Sequence, residues 1–425
     1  MPDEVRGKAL VAQSGGPTAV INASACGVIQ EAQRCQQITG ILGANNGIMG
    51  VLEEDLFDLA AESAETIAGL LSTPSAAIGS CRYKLGQLQS DRGKYERLLD
   101  VFRAHDVRWF FYIGGNDSMD TADKVNRLAR ELNYELRVLG VPKTIDNDLT
   151  CTDHCPGYGS VAKFLATATM EAGRDTEAMH TFDAVTIMEA MGRNTGWIAA
   201  ACGLAQRSAE DAPHLVYVPE IPFVREQFLN DLAGVLDRGK GACVVVSEGL
   251  KDASGQYLKA EQGEFGADRF GHKQLGGVAE YLKELVEQKL HVKCRFNKLG
   301  TCQRNAIHFA SQTDSSEAYR CGQEAVRQAV KGVTGMMVTL QRVRQHPYQC
   351  EFGLAPLAEV ANGVKYLPRE FMNEAGNHIT QAMREYVQPL IQGEVPLRMG
   401  ADGLPLFVRF QRRAVPQRLP RWKAG

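Results

Sequence analysis

Asp146 and Asp148 stand one residue apart in the run Pro142-Lys143-Thr144-Ile145-Asp146-Asn147-Asp148, with a lysine and a threonine just ahead of them. A second acidic loop, Gly114-Gly115-Asn116-Asp117-Ser118, lies upstream. One aspartate in such a place can accept a proton from a hydroxyl, while a neighbouring carboxylate helps to hold a cation. The run also reads as an Asx-rich turn after a proline. Lys143 tips the balance toward chemistry, because an ammonium beside two carboxylates suits a phosphoryl oxygen.

Other loops carry anion-binding residue types. Ser14-Gly15-Gly16-Pro17 would let backbone N–H groups approach an anion at a helix start, or it is simply a tight turn. No Gly-Lys-Ser/Thr follows, so it is not a P-loop. Arg82, in Gly79-Ser80-Cys81-Arg82-Tyr83-Lys84, and Arg193, Arg295 and Arg304 all lie in or just before loops, the last three after apolar runs. Each alone reads as a solvated surface arginine; four together suggest a polyanionic substrate. Two decoys are set aside. Gly157-x-Gly159-x-x-Ala162 follows a polar stretch rather than a strand, the wrong context for a dinucleotide site. Cys151 and Cys155 enclose His154 but have no second ligand pair at a zinc-like spacing.

Positioning these loops requires strands that end where they begin. Trp109–Ile113 and Leu136–Val141 are short apolar runs that break into the two acidic loops, with a helical pattern between them. This is a βαβ unit, whose loops lie at the carboxyl ends of the strands, where open α/β sheets bind ligands. Ala9–Ala12 and Ile38–Gly43 read as strands flanking a helix over Ala19–Gln36. Further strands are expected at Ala184–Met191, Leu215–Val218, Ala242–Ser247, His291–Leu299 and Met336–Val343. Helices are expected at Tyr158–Glu177, Arg225–Leu236, Gly276–Leu290, Thr313–Lys331 and, as one long amphipathic element, Arg369–Leu390. Residues 252–272 read as a polar surface excursion. The alternation predicts an α/β fold: two doubly wound, Rossmann-like αβα lobes with the active site in the cleft between them.

The 425 residues are 44% hydrophobic and 23% charged, enough for two or three domains with ample core. A net charge of −3 argues against a nucleic-acid or membrane surface, so anion affinity must be local. Eleven scattered cysteines, mostly in apolar elements, read as reduced thiols of a cytoplasmic protein. No basic start followed by an apolar core is present, and no run reaches the ~18 apolar residues that would suggest a membrane span.

Taken together, the loops resemble the phosphofructokinase family. Ser14-Gly-Gly-Pro, Gly79-Ser-Cys-Arg, Gly114-Gly-Asn-Asp-Ser, Pro142-Lys-Thr-Ile-Asp-Asn-Asp, Met191-Gly-Arg, Ser247-Glu-Gly and Leu299-Gly-Thr-Cys-Gln-Arg occur in the family's order over residues 8 to about 310. The tail, with Val364-Lys-Tyr-Leu-Pro-Arg-Glu-Phe, resembles a longer bacterial branch that uses pyrophosphate. The resemblance implies a donor lobe of residues 1–150 plus roughly 305–365, and a sugar-phosphate lobe of 151–304 plus roughly 366–425.

It also implies roles. Asp146 would deprotonate a sugar 1-hydroxyl, with Thr144 and Asp148 flanking the transferred phosphoryl. Gly15, Gly16, Arg82, Asn116 and Ser118 would hold the donor. Met191, Gly192, Arg193, Glu248, Thr301 and Arg304 would hold the sugar phosphate, and Arg295 would be lent to the 6-phosphate across a subunit interface. Asn116, Asp117 and Asp148 would meet Mg2+. Three positions depart from ATP-using relatives: Asn116 stands for a magnesium-binding Asp, Thr301 for a His or Tyr, and Ala184 for a second interface arginine.

Two further departures bear on the donor. ATP-using members carry glycine where this chain has Asp117 and Lys143. A carboxylate ~4 Å from a nucleotide α-phosphate costs about 4 kcal/mol at an effective dielectric of 20, roughly a thousandfold in affinity. Lys143 can neutralise charge on a donor that has no adenosine to anchor it. The expectation is reversible transfer from pyrophosphate to fructose 6-phosphate, giving fructose 1,6-bisphosphate and phosphate, by a homo-oligomer, dimer rather than tetramer. The alternatives are ATP as donor or a non-catalytic sugar-phosphate-binding subunit; a nicotinamide oxidoreductase is disfavoured by the misplaced glycine pattern.

Overall fold

The computed structural model describes residues 5–259, 277–361 and 363–422. Among them are eleven strands: β1 (Gly7–Gln13), β2 (Ile38–Ala44), β3 (Leu56–Asp58), β4 (Val107–Gly114), β5 (Arg137–Pro142), β6 (Val185–Ala190), β7 (Leu215–Tyr217), β8 (Ala242–Ser247), β9 (Cys294–Lys298), β10 (Met336–Arg344) and β11 (Gln349–Pro356). They form two sheets, one of order β11-β10-β5-β4-β1-β2-β3 and one of order β7-β8-β6-β9. The second sheet is wholly parallel, and the first is parallel except for its two edge pairs, β10–β11 and β2–β3. Parallel strands need helical crossovers that cover both faces, so this is the expected α/β architecture.

β4 shows why the aromatic run folds as a central strand. Phe110 and Tyr112 point into one core, with the Arg92–Ala104 and Asn116–Glu131 helices. Trp109, Phe111 and Ile113 point into the opposite core, with the Ile21–Arg34 and Gln312–Val330 helices. Period-two alternation sends apolar side chains both ways, which only a strand covered on both faces can bury. The two helices of the second core pack backbone against backbone. A Cβ at Gly27 would lie 2.0 Å from the Tyr319 carbonyl, and one at Gly322 would lie 2.1 Å from that of Ser24. The second sheet has its own pair of cores, one on each face.

Several elements differ from expectation. Arg369–Leu390 is not one helix: a 3-10 turn at Arg369–Phe371 is followed by a loop, a short helix at Gln381–Val387 and a second 3-10 turn. Asn373 Oδ1 accepts from the N–H groups of Asn377 and His378, and Gly376 takes φ +75°. That side chain offers the backbone a better partner than a helical carbonyl. Met372, Ile379, Met383, Val387 and Leu390 still face one core, which is why their spacing imitates a helix. Strands β3 and β11 and the Arg92–Ala104 helix are additions. Residues 260–276, most of the polar stretch 252–272 and the first residue of the Gly276–Leu290 helix, lie outside the described residues.

The C-terminal segment divides. Leu367 to Leu390 packs with the second sheet, but Val408, Phe410, Val415, Leu419 and Trp422 pack against the cores of the first. The reason is the edge strand β3. Phe57 bridges Ala414, Asp58 N–H donates to the Arg413 carbonyl, and Val415 N–H donates to that of Leu56. The tail covers an edge that would otherwise be open.

Beside β10 and β11 of the first sheet lies a buried charged cluster, tied on by the Asp153 N–H to the Leu340 carbonyl. His154 meets Glu317 through Nε2 at 2.7 Å and Asp153 through Nδ1 at 2.8 Å. Tyr348 donates to Glu317, and Arg342 donates to Asp153. Burial pulls the imidazole's proton affinity down, but the Glu317 and Asp153 carboxylates outweigh it and hold His154 up to about 9. Glu317, His154 and Cys350 Sγ lie close enough to share a metal, yet both His154 nitrogens are already taken by carboxylates, and Cys151 is exposed.

A histidine held above its ordinary value adds stability that is complete below about pH 6.5 and lost as pH rises through about 9. The gap in melting midpoint between the wild type and His154→Gln should therefore be widest near about pH 6 and narrow by about pH 10. A gap independent of pH would contradict the charged pairing.

Candidate active site

The loops at the carboxyl ends of β1, β4, β5, β6 and β8 converge on one cleft. Its lining includes Ser14, Gly15, Gly16, Arg82, Asn116, Asp117, Ser118, Lys143, Thr144, Asp146, Asp148, Met191, Arg193, Glu248 and Arg304. Of the residues singled out from sequence, Gly192, Arg295 and Thr301 are not in that lining. Gly192 is adjacent, its N–H donating to Glu248. Arg295 lies on β9 with its side chain more than half exposed and pairs with Asp183. Thr301 is exposed, just before the Cys302–Asn305 helix.

One part of the cleft is a cationic cradle built on the glycine loop. Gly15 has φ +78°; its N–H donates to the Cys81 carbonyl, and its own carbonyl accepts from Ser80 Oγ at 2.6 Å. These bonds lash the loop bearing Arg82 to the end of β1. Gly16 leaves room for a guanidinium: a Cβ there would sit 2.9 Å from Arg304 Nη1 and 3.7 Å from Arg82 Nη2. Lys143 Nζ, nearly inaccessible, donates to the Gly16 carbonyl at 2.8 Å. Burial, then Arg304 and Arg82, push the Lys143 ammonium down to about 7 against the pull of Asp146 and Asp148. Burial and Arg82 likewise lower Arg304. Crowded, partly dehydrated cations are what an anion would relieve.

The other part is acidic. Burial, then Asp148 and Glu248, push the Asp146 carboxyl up to about 7, with Arg193 and Lys143 opposing. Asp148 is raised chiefly by burial, opposed first by a hydrogen bond from Thr144. Glu248 is raised by burial, opposed by the Gly192 N–H. Asn116 Nδ2 donates to Asp148 at 3.4 Å, and its buried Oδ1 has no hydrogen-bond partner. A buried, unpartnered amide oxygen beside a carboxylate fits a hard divalent cation, which takes oxygen ligands. Asp117 instead pairs with Lys84, Nζ to Oδ1 at 3.1 Å.

The catalytic-type loop is fixed by residues whose roles the sequence did not suggest. Asn147, fully buried at φ 53°, donates to Tyr386 OH, while its Oδ1 accepts from Cys155 N–H and from Lys365 Nζ. Asp146 N–H donates to Thr144 Oγ1, and Thr195 Oγ1 donates to the Asp146 carbonyl. Gln303 accepts from Met191 N–H and donates to the Glu189 carbonyl. The Gly157 decoy is closed off as well, because the Asp314 carboxylate already accepts from the N–H groups of Gly157 and Ser160. The cleft can therefore hold a phosphorylated polyanion, a cation and a proton acceptor together.

The pattern of the family described as Phosphofructokinase matches residues 8–329. A protein of Xanthomonas campestris pv. campestris named pyrophosphate--fructose 6-phosphate 1-phosphotransferase is 49% identical, over 98% of this chain and 99% of its own. One of the same name from Halomonas elongata is 46% identical, over 98% and 99%. A crystal structure described as pyrophosphate-dependent phosphofructokinase, from Nitrosospira multiformis, superposes with TM-score 0.90 at 43% identity, covering 99% of this chain and 100% of that one.

Asn147→Ala would orphan the buried Cys155 N–H and leave a Cβ-bearing residue at positive φ. It should cost about 3 kcal/mol in denaturant unfolding. Asn147→Gly should recover the backbone share of that loss. Equal losses for the two variants would exclude backbone strain.

Proposed function

The chain belongs to the phosphofructokinase family, and on that premise we propose that it moves a phosphoryl group from inorganic pyrophosphate to the 1-hydroxyl of fructose 6-phosphate. The products are fructose 1,6-bisphosphate and phosphate, and the reaction runs in both directions. The observation that carries this reading is the presence of Asp117 and Lys143 in the same cleft as Asp146. A carboxylate occupies space where a nucleotide would continue, and a buried ammonium stands ready for inorganic phosphate.

Asp146 takes the proton of the 1-hydroxyl as that oxygen attacks the donor's nearer phosphorus. Lys143, Arg82 and the N–H groups of the Gly15–Gly16 loop receive the charge on the departing phosphate, with Asn116 and Ser118 completing the donor site. Met191, Gly192, Arg193 and Glu248 hold the sugar. Arg304, assigned to the sugar phosphate, also reaches the donor loop at Gly16, so it stands between the two substrates. Thr144 orders the loop that carries Asp146 and Asp148.

Family members generally use a divalent metal. Magnesium fits Asp148 and the unpartnered Asn116 Oδ1 better than it fits Asp117, whose carboxylate is paired with Lys84. Bound there, it would screen the donor's oxygens.

Residues 1–150 and 305–365 serve as the donor lobe in this reading. The sugar-phosphate lobe comprises 151–304 and the tail segment to about 391. A homodimer is favoured by β9, an edge strand on which Arg295 and Phe296 are exposed beside the exposed Phe182; Arg295 and Thr301 then act at the partner's site or its border. No helix among the described residues is long and apolar enough to cross a membrane, and we place the protein in the cytoplasm.

A donor-by-acceptor activity grid on the purified protein tests the reaction. Turnover with pyrophosphate and fructose 6-phosphate, and little with ATP, is expected; strong activity with ATP alone would overturn the donor assignment. The pH profile tests the residues. Asp146 must be a carboxylate, a form that grows as pH rises through about 7. Lys143 must be an ammonium, a form lost as pH rises through about 7. The profile of kcat/KM should be bell-shaped near neutrality. Lys143→Arg, whose guanidinium stays charged, should move the alkaline limb upward, with titration of the donor common to both enzymes. An unmoved limb would remove Lys143 from its role.

A further inference from the structure

Asp117 sets a further carboxylate in the cleft that also holds the cationic cradle of Lys143, Arg82 and Arg304. Left unbalanced about 4 Å from a phosphate, it would weaken any donor by up to roughly a thousandfold, pyrophosphate included. Exclusion by charge alone therefore harms the donor that is wanted. Lys143 is not the ion-pair partner of this carboxylate: its ammonium donates to the Gly16 carbonyl, and the carboxylates that act on it are Asp146 and Asp148.

The partner of Asp117 is Lys84, 3.1 Å away. Lys84 stands on the loop that Ser80 and Cys81 fasten to Gly15, two residues beyond Arg82. The ion pair thus joins the glycine and arginine side of the donor site to the first turn of the Asn116–Glu131 helix. With the Lys84 side chain 49% exposed, a pair this open contributes little to folding. Its effect is felt at the cleft.

We infer that Lys84 is a specificity-determining positioning residue. It holds the Asp117 carboxylate in place and cancels its charge, so that Asp117 obstructs a nucleotide by its bulk without repelling the inorganic donor. This rests on the reading of the cleft as a pyrophosphate site and assigns Lys84 a part in it that acts through Asp117.

A double-mutant cycle tests it, with wild type, Lys84→Ala, Asp117→Asn and the double variant, and with Lys84→Arg as the conservative change. The readouts are KM and kcat with pyrophosphate, the Kd for pyrophosphate by calorimetry without sugar, and the thermal unfolding midpoint. Lys84→Ala should raise KM and Kd roughly fivefold to tenfold. Its kcat should stay within about twofold and its midpoint should not move. Lys84→Arg should restore both constants. In the Asp117→Asn background, where bulk remains without charge, Lys84→Ala should have no further effect.

An unchanged KM in Lys84→Ala, or the same loss in both backgrounds, would overturn the inference, the latter because Lys84 would then act on the donor independently of Asp117. A wild-type enzyme inactive with pyrophosphate would sink the donor reading itself before any variant is compared.

Discussion

Like charges crowded side by side, most of them out of reach of solvent, are the constraint on which this cleft turns. Lys143, Arg304 and Arg82 gather over the glycine loop, while Asp146, Asp148 and Glu248 share the same cleft. Burial disfavours the charged forms of Lys143, Arg304, Asp146, Asp148 and Glu248, and neighbours of like sign disfavour those of Lys143, Arg304 and Asp146 further. Only the opposite set keeps the ionised forms within reach near neutrality, as the Asp146 and Lys143 shifts toward about 7 make plain. A cleft divided in this way is incomplete alone. An anion relieves one part and a cation the other, so donor and metal are the partners its electrostatics call for.

Such a balance survives only if the groups do not drift, because Coulombic terms change steeply at these separations. The fold supplies stiffness from behind. The strands end at the cleft, and the residue between the two aspartates is tied to Tyr386, Cys155 and Lys365. Lys365 reaches on to the carbonyls of Thr152 and Asp153, and Asp153 leads to His154, Glu317 and Arg342. The loop carrying the proposed base is therefore continuous with a buried charged network that spans from the tail to the Gln312–Val330 helix.

What could be read from sequence follows from this arrangement. Parallel strands ending in polar loops are local patterns, so the α/β architecture and the loops at the cleft were legible from period and punctuation. Gly15, Arg82 and Lys143 belong to those loops and were named for that reason, whereas Asn116 took its role from the resemblance. Asn147 was passed over because its work is a positive φ, one bond to the nearby Cys155 and two long-range bonds, none of which spacing reveals. Tyr386 and Lys365 reach the site from over two hundred residues away. The tail misled in two ways. Its apolar stripe around an Asn373 turn has helical spacing without helical bonds, and its last residues are recruited by the edge of β3, which no local signal announces. Arg295 was assigned a place across a subunit interface only through resemblance; in this chain it is exposed on an edge strand and pairs with Asp183.

The choice of an inorganic donor changes what the site must do. A nucleotide brings an adenosine whose apolar and stacking contacts can supply affinity, whereas pyrophosphate brings only charge and hydrogen-bond acceptors. Recognition must then come from buried cations, and these are costly unless they are confined to a rigid cradle. Reversal imposes a further demand, because the group that accepts a proton from the sugar hydroxyl in one direction must return it in the other. A carboxyl left at the ordinary value would be almost wholly ionised at neutral pH and a poor acid. One lifted to about 7 by burial and by Asp148 and Glu248 populates both forms. In the proposed role of Asp146 as base and acid, the acidic crowding around it is thus what would suit a single residue to both directions of the transfer.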